Sequence, residues 1–596
     1  MTRATPPQLQ PAPAPTLRER IFTWVVCVTL FFSAFFLRLP GIGHGLPTTL
    51  EQDCMIPGQV ELLRQGGDAW REQRNFRWYP LLIANVATQV PRPANAQPQA
   101  PLADHLRAAS APHLQTRLVV ALFAALMAPA AYLLAALFLE RRWAIVAGLL
   151  CAASLLSVNF SQQSRPHAAA GALFAWALLA FVRLRRRGGV AGHSLAGGAL
   201  ALALGCLQSA LALLPALVVA VLARRTHKRS WLDPRLLLTV ALVGSGIVVF
   251  YPYEFFGKEL PKQPGADAAL INQSGHLLFL DQFRGGGFVT LARTFVSYEP
   301  ALTALALLGL VLWAVRRGTQ DAANNYTRRR DLWVVLAFAL PYLVVLGLYN
   351  RTYERFALPL VPLLACCAAF GLREVARRVP TRSAVAGFAT WGVLALLAVA
   401  PGAWLCLALG DVRSQPHTTE LAARWLEERA GEFRALDLTL TPTLDLPLLR
   451  EPAGLANWPG GEGASWNRPW SRYQATLPGG PPLGERWRLR WWTAGKMLAM
   501  GANDPARFVA EEGGELAITE VFAENRVHPG ATKLREWLLA NAQLLVRISP
   551  DGDPGYSEHP FGYQEETSVA PGIFFRRLLQ ARGTGPVIEI FRLPRR

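Results

Sequence analysis

A chain of 596 residues is long enough for several soluble domains, but its apolar residues crowd ahead of about residue 409, in runs near the roughly 20 residues a helix needs to cross a hydrocarbon core. The formal charge of +19 would suit a nucleic-acid partner. Position excludes that class, because the basic clusters (Arg18 and Arg20; Arg141 and Arg142; 183–187; 224–229; 316–317 with 328–330; 373–382) fall at alternate ends of the apolar runs, as in the cytoplasmic loops of a multi-pass membrane protein.

In chain order, residues 1–20 hold a Pro-rich stretch (6–15) expected to be a disordered cytoplasmic tail. The first span is expected over 21–39 and is read as a retained anchor, because no small-residue cleavage site follows it. A polar outer loop, 41–116, comes next, then spans at 118–139, 143–160 and 168–184. The run 194–223 is too long for one upright helix and short for two, and a single helix would put Arg224, Arg225, Lys228 and Arg229 outside. It is read as two short helices broken near 205–209, which either border a working cavity or are simply two thin helices of the bundle. Further spans are expected at 236–253, 301–315, 332–349, 356–372 and 385–409, about eleven in all. With the N-terminus inside, an odd count puts 411–596 outside the cytoplasm. This tail reads as a soluble α/β domain, with strand-like runs at 436–440, 544–548 and 587–591 and helical pieces at 419–429 and 531–540. The expected fold is therefore an α-helical polytopic membrane domain, 21–410, followed by a soluble extracytoplasmic domain.

Six of the seven cysteines (Cys27, Cys151, Cys206, Cys366, Cys367 and Cys406) lie in apolar runs and read as small core residues, while Cys54 is in the first loop. Neither a disulfide framework nor a zinc spacing follows. The run Gly285-Gly286-Gly287 opens no strand-to-helix phosphate site and reads as a flexible loop.

The candidate chemistry lies in the outer segments. The first loop carries Glu51, Asp53, Glu61, Asp68 and Arg77; the turn before the fourth span carries Arg165 and His167; the loop after Tyr253 carries Glu254, Lys258, Lys262, His276, Arg284 and Arg293; and the turn before the tenth span carries Arg351, Tyr353, Glu354 and Arg355. A carboxylate facing arginines and lysines at a lipid boundary can hold a phosphate-bearing head group while keeping a general base ionised. Each group also has a structural reading: Glu51 and Asp53 as solvated loop acids, Arg355 as an interfacial anchor, His167 as a satisfied helix-end histidine.

Two stretches carry a family resemblance. Residues 50–63, containing Glu51-Gln52-Asp53, followed by Asn75-Phe76-Arg77-Trp78-Tyr79-Pro80-Leu81, resemble the acidic motif and downstream Tyr-Pro element of C-type (GT-C) integral-membrane glycosyltransferases. Within that class they are most similar to the branch with protein O-mannosyltransferases and aminoarabinose lipid A transferases, glycosyltransferase family 39. Tyr353-Glu354-Arg355-Phe356-Ala357-Leu358-Pro359-Leu360-Val361-Pro362 resembles that family's late Arg-Tyr-x-x-Pro-x-x-Pro element. The resemblance implies a polyprenyl-phosphate sugar donor bound on the extracytoplasmic side of a bacterial inner membrane, and inverting transfer to an unidentified glycan, lipid or protein acceptor. It also implies a first-loop acid as base. The family's Asp-Glu pair aligns with Glu51 and the neutral Gln52, or, with a shift of one or two positions, with Asp53. The family's second acidic position falls at 164–167, where this chain has no acid.

On this reading Glu51 or Asp53 is the base, Arg355, Lys258, Arg293 and Lys262 hold the donor phosphate, and Gln52, Arg77, Tyr79, His167 and Tyr353 line the substrate pocket. No cofactor is called for; a divalent ion is left open, because acids bridge phosphates through such ions in some relatives, although the sequence shows no dedicated ligand cluster. Two other classes compete: a non-catalytic membrane scaffold of the same fold, favoured by the missing acid at 164–167, and a secondary transporter, disfavoured by spans nearly free of acids and by the absence of repeated halves.

Overall fold

Apolar helices with their backbone groups satisfied internally build most of this molecule, as a lipid solvent requires. The computed structural model describes residues 16–48, 55–67, 77, 79–91, 96–97, 99–223, 233–258, 271–273, 276–315, 322–380, 383–440, 444–451, 469–477, 486–492, 503–521, 529–550, 578–579 and 581–594. Helix α1 (Leu17–Phe36) starts at a capping box in which Thr16 Oγ1 accepts from the Glu19 amide and the Glu19 carboxylate accepts from Thr16 N. The segment after α1 holds two short helices, α2 (Ile56–Gln65) and α3 (Leu82–Thr88). After them α4 (Leu102–Ala125) and α5 (Met127–Ala136) form one long bent element, followed by α6 (Arg141–Ala152), α7 (Leu155–Ser161), α8 (His167–Arg187) and α9 (Gly189–Cys206).

The expected break in 194–223 is present. Helix α9 ends at Cys206, Leu207 is extended, and the chain resumes as a 3-10 turn, Gln208–Leu213, running into α10 (Leu214–Leu222). Tyr251 Oη donates to the Leu204 carbonyl at 2.6 Å, so a neighbouring helix supplies a partner beside the break. Helices α11 (Leu236–Phe250) and α12 (Pro252–Phe256) and a hairpin of β1 (Ile271–Gln273) with β2 (His276–Leu278) lead to α13 (Gly286–Tyr298). Helix α14 (Pro300–Val315) leaves α13 at 115°, and α15 (Ala322–Leu348), a 3-10 segment (Glu354–Leu360), α16 (Val361–Ala376) and α17 (Ala384–Ser414) complete the bundle. Among the described residues seven helices are long and apolar enough to span a membrane, nine if each of two bent pairs counts as one span; 208–222 and 236–250 are shorter.

Helix α8 is the axis of the bundle and is apolar nearly all round, whereas α1 and α17 expose apolar faces, as lipid-facing helices do. Helices α14 and α16 approach through Gly309 and Gly371: a Cβ on Gly371 would sit 2.8 Å from the Leu305 carbonyl oxygen, so only glycine permits this spacing. Three buried acids, Asp331, Glu374 and Glu299, lie just beyond the ends of the expected spans, and each has partners. Asp331 binds Arg185 and Arg186, and Glu374 binds Arg373 and Arg377. Glu299 Oε1 accepts from Ser154 Oγ at 2.6 Å and from the Leu156 amide at 2.9 Å, at the first turn of α7.

The basic helix ends gather at one pole. Arg141 pairs with Glu19, Arg377 with Glu140, and Arg330 donates to the Ala223 carbonyl. At the other pole three buried arginines tie the loop after α1 to the bundle: Arg38 to Ser157 Oγ (2.7 Å), Arg117 to the carbonyls of Ile42 (2.6 Å) and His44 (3.0 Å), and Arg413 to Asn159 Oδ1 and Gln162 Oε1 (both 2.6 Å).

After α17 and α18 (Thr418–Glu428) comes a five-stranded mixed sheet of order β4-β3-β5-β7-β6, built from β3 (Asp437–Leu440), β4 (Arg488–Trp491), β5 (Leu516–Val521), β6 (Gln543–Ile548) and β7 (Val587–Arg592). Strand β3 is parallel to β4 and β5, while β7 is antiparallel to β5 and β6. Alternation with period two sends Leu516, Ile518, Ile588 and Ile590 to the α18 side and Ala517 and Phe591 to the helices Pro505–Glu512 and Pro529–Asn541. The sheet is covered on both faces, as expected for a soluble α/β unit. The helix Pro469–Ala475 of this domain meets the part of α4 that precedes its apolar run: Trp470, Tyr473 and Leu477 pack with Ala108 and Ala109.

Candidate active site at the start of helix 16

Local packing positions a cluster at the pole opposite the basic helix ends. The segment Tyr79–Leu81 is fixed from three sides: Gln59 Nε2 of α2 donates to the Tyr79 carbonyl at 2.7 Å, Tyr253 Oη reaches the same oxygen at 3.5 Å, and the Leu81 amide donates to the Phe250 carbonyl at 3.0 Å. The Tyr79 ring meets His167 edge-on at 6.0 Å, and His167, the first residue of α8, stacks on Phe356 at 5.6 Å.

Arg355 lies in the 3-10 segment that leads into α16, with only 6 % of its surface exposed. Its guanidinium stands 4.4 Å from the Tyr353 ring centroid and 5.3 Å from that of Phe356. Two aromatic faces thus hold a cation where the helix enters the bundle, an arrangement that partly offsets its desolvation. The Phe356 carbonyl accepts from Tyr342 Oη of α15 at 2.9 Å, and Thr352 Oγ1 donates to the Leu346 carbonyl at 2.6 Å, which fixes the turn before Arg355. Glu354, 1 % exposed, is the neighbouring acid, and Arg165 is buried in the turn before α8.

The Gly285-Gly286-Gly287 run is not the flexible loop expected. Gly285 takes φ +92° immediately before α13, the Gly286 amide donates to Asn350 Oδ1 at 2.9 Å, and a Cβ on Gly287 would lie 2.9 Å from Thr352 Oγ1. These glycines let α13 start against the turn that carries Tyr353 and Arg355.

Of the residues expected from sequence, Tyr79, His167, Tyr353 and Arg355 form one continuous contact. Arg77 and Lys258 form a second, in which the Arg77 guanidinium donates to the Lys258 carbonyl beside Tyr253. Arg293 lies exposed on α13, which packs against the 3-10 segment. Glu51, Gln52, Asp53 and Lys262 lie outside the described residues. Residues that sequence reasoning did not single out are Phe356, which joins His167 to Arg355, and Gln59 and Tyr253, which orient Tyr79. Among the described residues no three His, Cys, Asp or Glu side chains are grouped to hold a metal ion. His167 Nδ1 is buried and makes no hydrogen bond among the described residues.

No protein-family model matches this sequence, and no curated protein matches it. Solved structures do resemble it. The aminoarabinose transferase ArnT from Cupriavidus metallidurans in its apo state has a TM-score of 0.48 at 13 % identity, over 89 % of this chain and 96 % of that one. The apo Archaeoglobus fulgidus oligosaccharyltransferase gives 0.46 at 10 % identity, over 97 % and 89 % of the two chains. The mycobacterial arabinofuranosyltransferase AftD gives 0.41 at 15 % identity, over 97 % of this chain and 40 % of its own. All three are GT-C fold membrane glycosyltransferases.

Proposed function

We propose that this protein transfers a sugar, with inversion, from a polyprenyl-phosphate donor to an acceptor on the extracytoplasmic face of a bacterial inner membrane. The observation that carries this reading is Arg355: a buried guanidinium between two aromatic rings, at the bundle pole opposite the basic helix ends. A buried guanidinium is held there by its neighbours at a desolvation cost, and an arginine can engage a phosphate through two parallel donors.

In the proposed reaction the acceptor nucleophile attacks the sugar C1 while a first-loop carboxylate, Glu51 or Asp53, takes its proton. The C1–O bond to the donor breaks, and the electron pair goes to the polyprenyl phosphate, whose growing charge Arg355 stabilises, with Lys258, Lys262 and Arg293 as further cations. Gln52, Arg77, Tyr79, His167 and Tyr353 line the donor site. The acid-bearing stretch leads directly into α2, which Gln59 ties to Tyr79. The domain 411–596 lies over α4 on the acceptor side.

The test is the fate of the donor. Purified protein in nanodiscs is expected to consume lipid-linked sugar and release polyprenyl phosphate, and membranes lacking the protein are expected to accumulate that donor. If neither occurs, the transferase reading fails. The turn 164–167, which carries no acid, favours a second reading, a non-catalytic scaffold. On that reading a Glu51→Gln/Asp53→Asn double variant restores every defect of a deletion strain.

A further inference from the structure

A cavity of 640 Å³ lies at the pole opposite Arg355, among the N-terminus of α6, the C-terminus of α16 and the N-terminus of α17. Helix α16 runs from one pole to the other: it begins just after Arg355 and ends on Arg373 and Ala376, a rise of roughly 24 Å. Arg142, Arg373, Arg377, Ser383 and Thr390 contribute the polar lining, and Val379 is part of the apolar wall.

The arginines are held in place. Buried Glu374 binds Arg373 at 2.7 Å and Arg377 at 3.3 Å, and Glu140 binds Arg377 at 2.8 Å and Arg373 at 3.7 Å. Among the described residues, two carboxylates therefore face three lining guanidiniums, an excess of one positive charge. The backbone at Arg142 is itself anchored, since Trp391 Nε1 of α17 donates to its carbonyl at 3.2 Å. Beside the cavity, Val385 (80 % exposed) and Phe388 (68 %) present an apolar face on α17.

We infer that this cavity binds the head group of an anionic phospholipid in the leaflet opposite the candidate active site. One excess positive charge complements the single negative charge of a phosphodiester, and the adjoining Val385 and Phe388 face gives the acyl chains a place that a free phosphate ion would not use. A choline head group would bring its own cation against the arginines, so the site discriminates against zwitterionic lipid. The inference is independent of the transferase reading.

The experiment is native mass spectrometry of the full chain, released from detergent with phosphatidylglycerol, phosphatidylcholine or inorganic phosphate. The expected result is retained phosphatidylglycerol, with its apparent affinity about tenfold or more weaker in Arg142→Gln/Arg377→Gln. Arg183→Gln, an exposed arginine of α8 outside the cavity, should bind as the parent does. If the double variant misfolds, Thr390→Trp, which fills the cavity and keeps every charge, should lose the lipid instead. Equal retention of phosphatidylcholine, displacement of the lipid by millimolar phosphate, or undiminished phosphatidylglycerol in a folded double variant or in Thr390→Trp would each overturn the assignment.

Discussion

His105 Nδ1 and the hydroxyl of Tyr473 lie 3.1 Å apart across 368 residues of sequence, joining the outer half of α4 to the C-terminal domain. Around this bond Trp470 stacks on Tyr473 at 6.0 Å, and its indole N–H donates to the Leu448 carbonyl at 2.9 Å. Trp470→Ala removes a fully buried ring and is expected to cost about 3–5 kcal/mol of docking and local stability, Tyr473→Phe about 1 kcal/mol. Hydrogen exchange over 102–111 should rise strongly in the first variant and slightly in the second. Unchanged protection in Trp470→Ala would show that the domain is held elsewhere.

The general base gives the sharpest functional prediction. Glu51→Gln keeps size and hydrogen bonding but cannot accept a proton, so turnover of a lipid-linked donor should fall by roughly 10²-fold or more, with a smaller loss for Asp53→Asn. If Asp53→Asn alone abolishes transfer, the register shifts by two residues and Asp53 is the base.

At Arg355 the geometry of the charge is the question. Arg355→Ala should weaken apparent donor affinity by about 10- to 100-fold, and Arg355→Lys by a smaller factor, because lysine keeps the charge and loses the planar fork. Titration of purified donor in nanodiscs separates the two. An unaltered response in Arg355→Ala would make Arg355 an interfacial anchor and move the phosphate to Lys258, Lys262 or Arg293.

Two buried histidines set a pH dependence for the pole that carries residues 41–48 and 415–420. Burial, with Arg413 and Arg117 nearby, holds His44 well below the usual imidazole range, and burial with Arg117 pushes His417 down to about 3. Both are neutral when folded and take up protons on unfolding below about pH 6.5. Their stabilisation is therefore complete above that value and is lost as pH falls toward the folded pKa, on the order of 1–2 kcal/mol per histidine by pH 5. The thermal midpoint and the protection of 41–48 and 415–420 should both drop between pH 7.5 and pH 5. A midpoint independent of pH over that range would mean that neither histidine is buried as described.

Helix spacing at the α14 and α16 contact is also testable. Gly309→Leu places a side chain against the Cys367 carbonyl and should destabilise the bundle by about 1–3 kcal/mol or more. Gly392→Leu, on α17 where a Cβ meets nothing, should be tolerated. Detergent unfolding midpoints compare the two.

Long apolar runs and arginine positions made the bundle readable from the sequence, including the break at Leu207, because a thirty-residue run with basic residues at its end admits few threadings. Shorter elements were not readable. Helix α2 combines Pro57 and Gly58 at its start with mixed polarity, and the outer half of α4 is too rich in alanine to show an apolar stripe. Strand β4 is four residues long and reads Arg-Leu-Arg-Trp, too short an alternation to stand out in the sequence. In the candidate site Tyr79, His167, Tyr353 and Arg355 were visible as residue types. Their meeting through Phe356 was not, since an aromatic in an apolar run carries no mark of which neighbour it will touch.

The bond between His105 and Tyr473 also sets an order of events in synthesis. At roughly 5–20 residues per second the ribosome needs on the order of 20–70 s to travel from one to the other. For that interval the outer half of α4, already beyond its membrane-embedded half, must wait with Ala108 and Ala109 uncovered. A nascent chain stalled before residues 470–477 have emerged would therefore present a sticky helix to chaperones or proteases, and the arrival of Trp470 ends the vulnerable period.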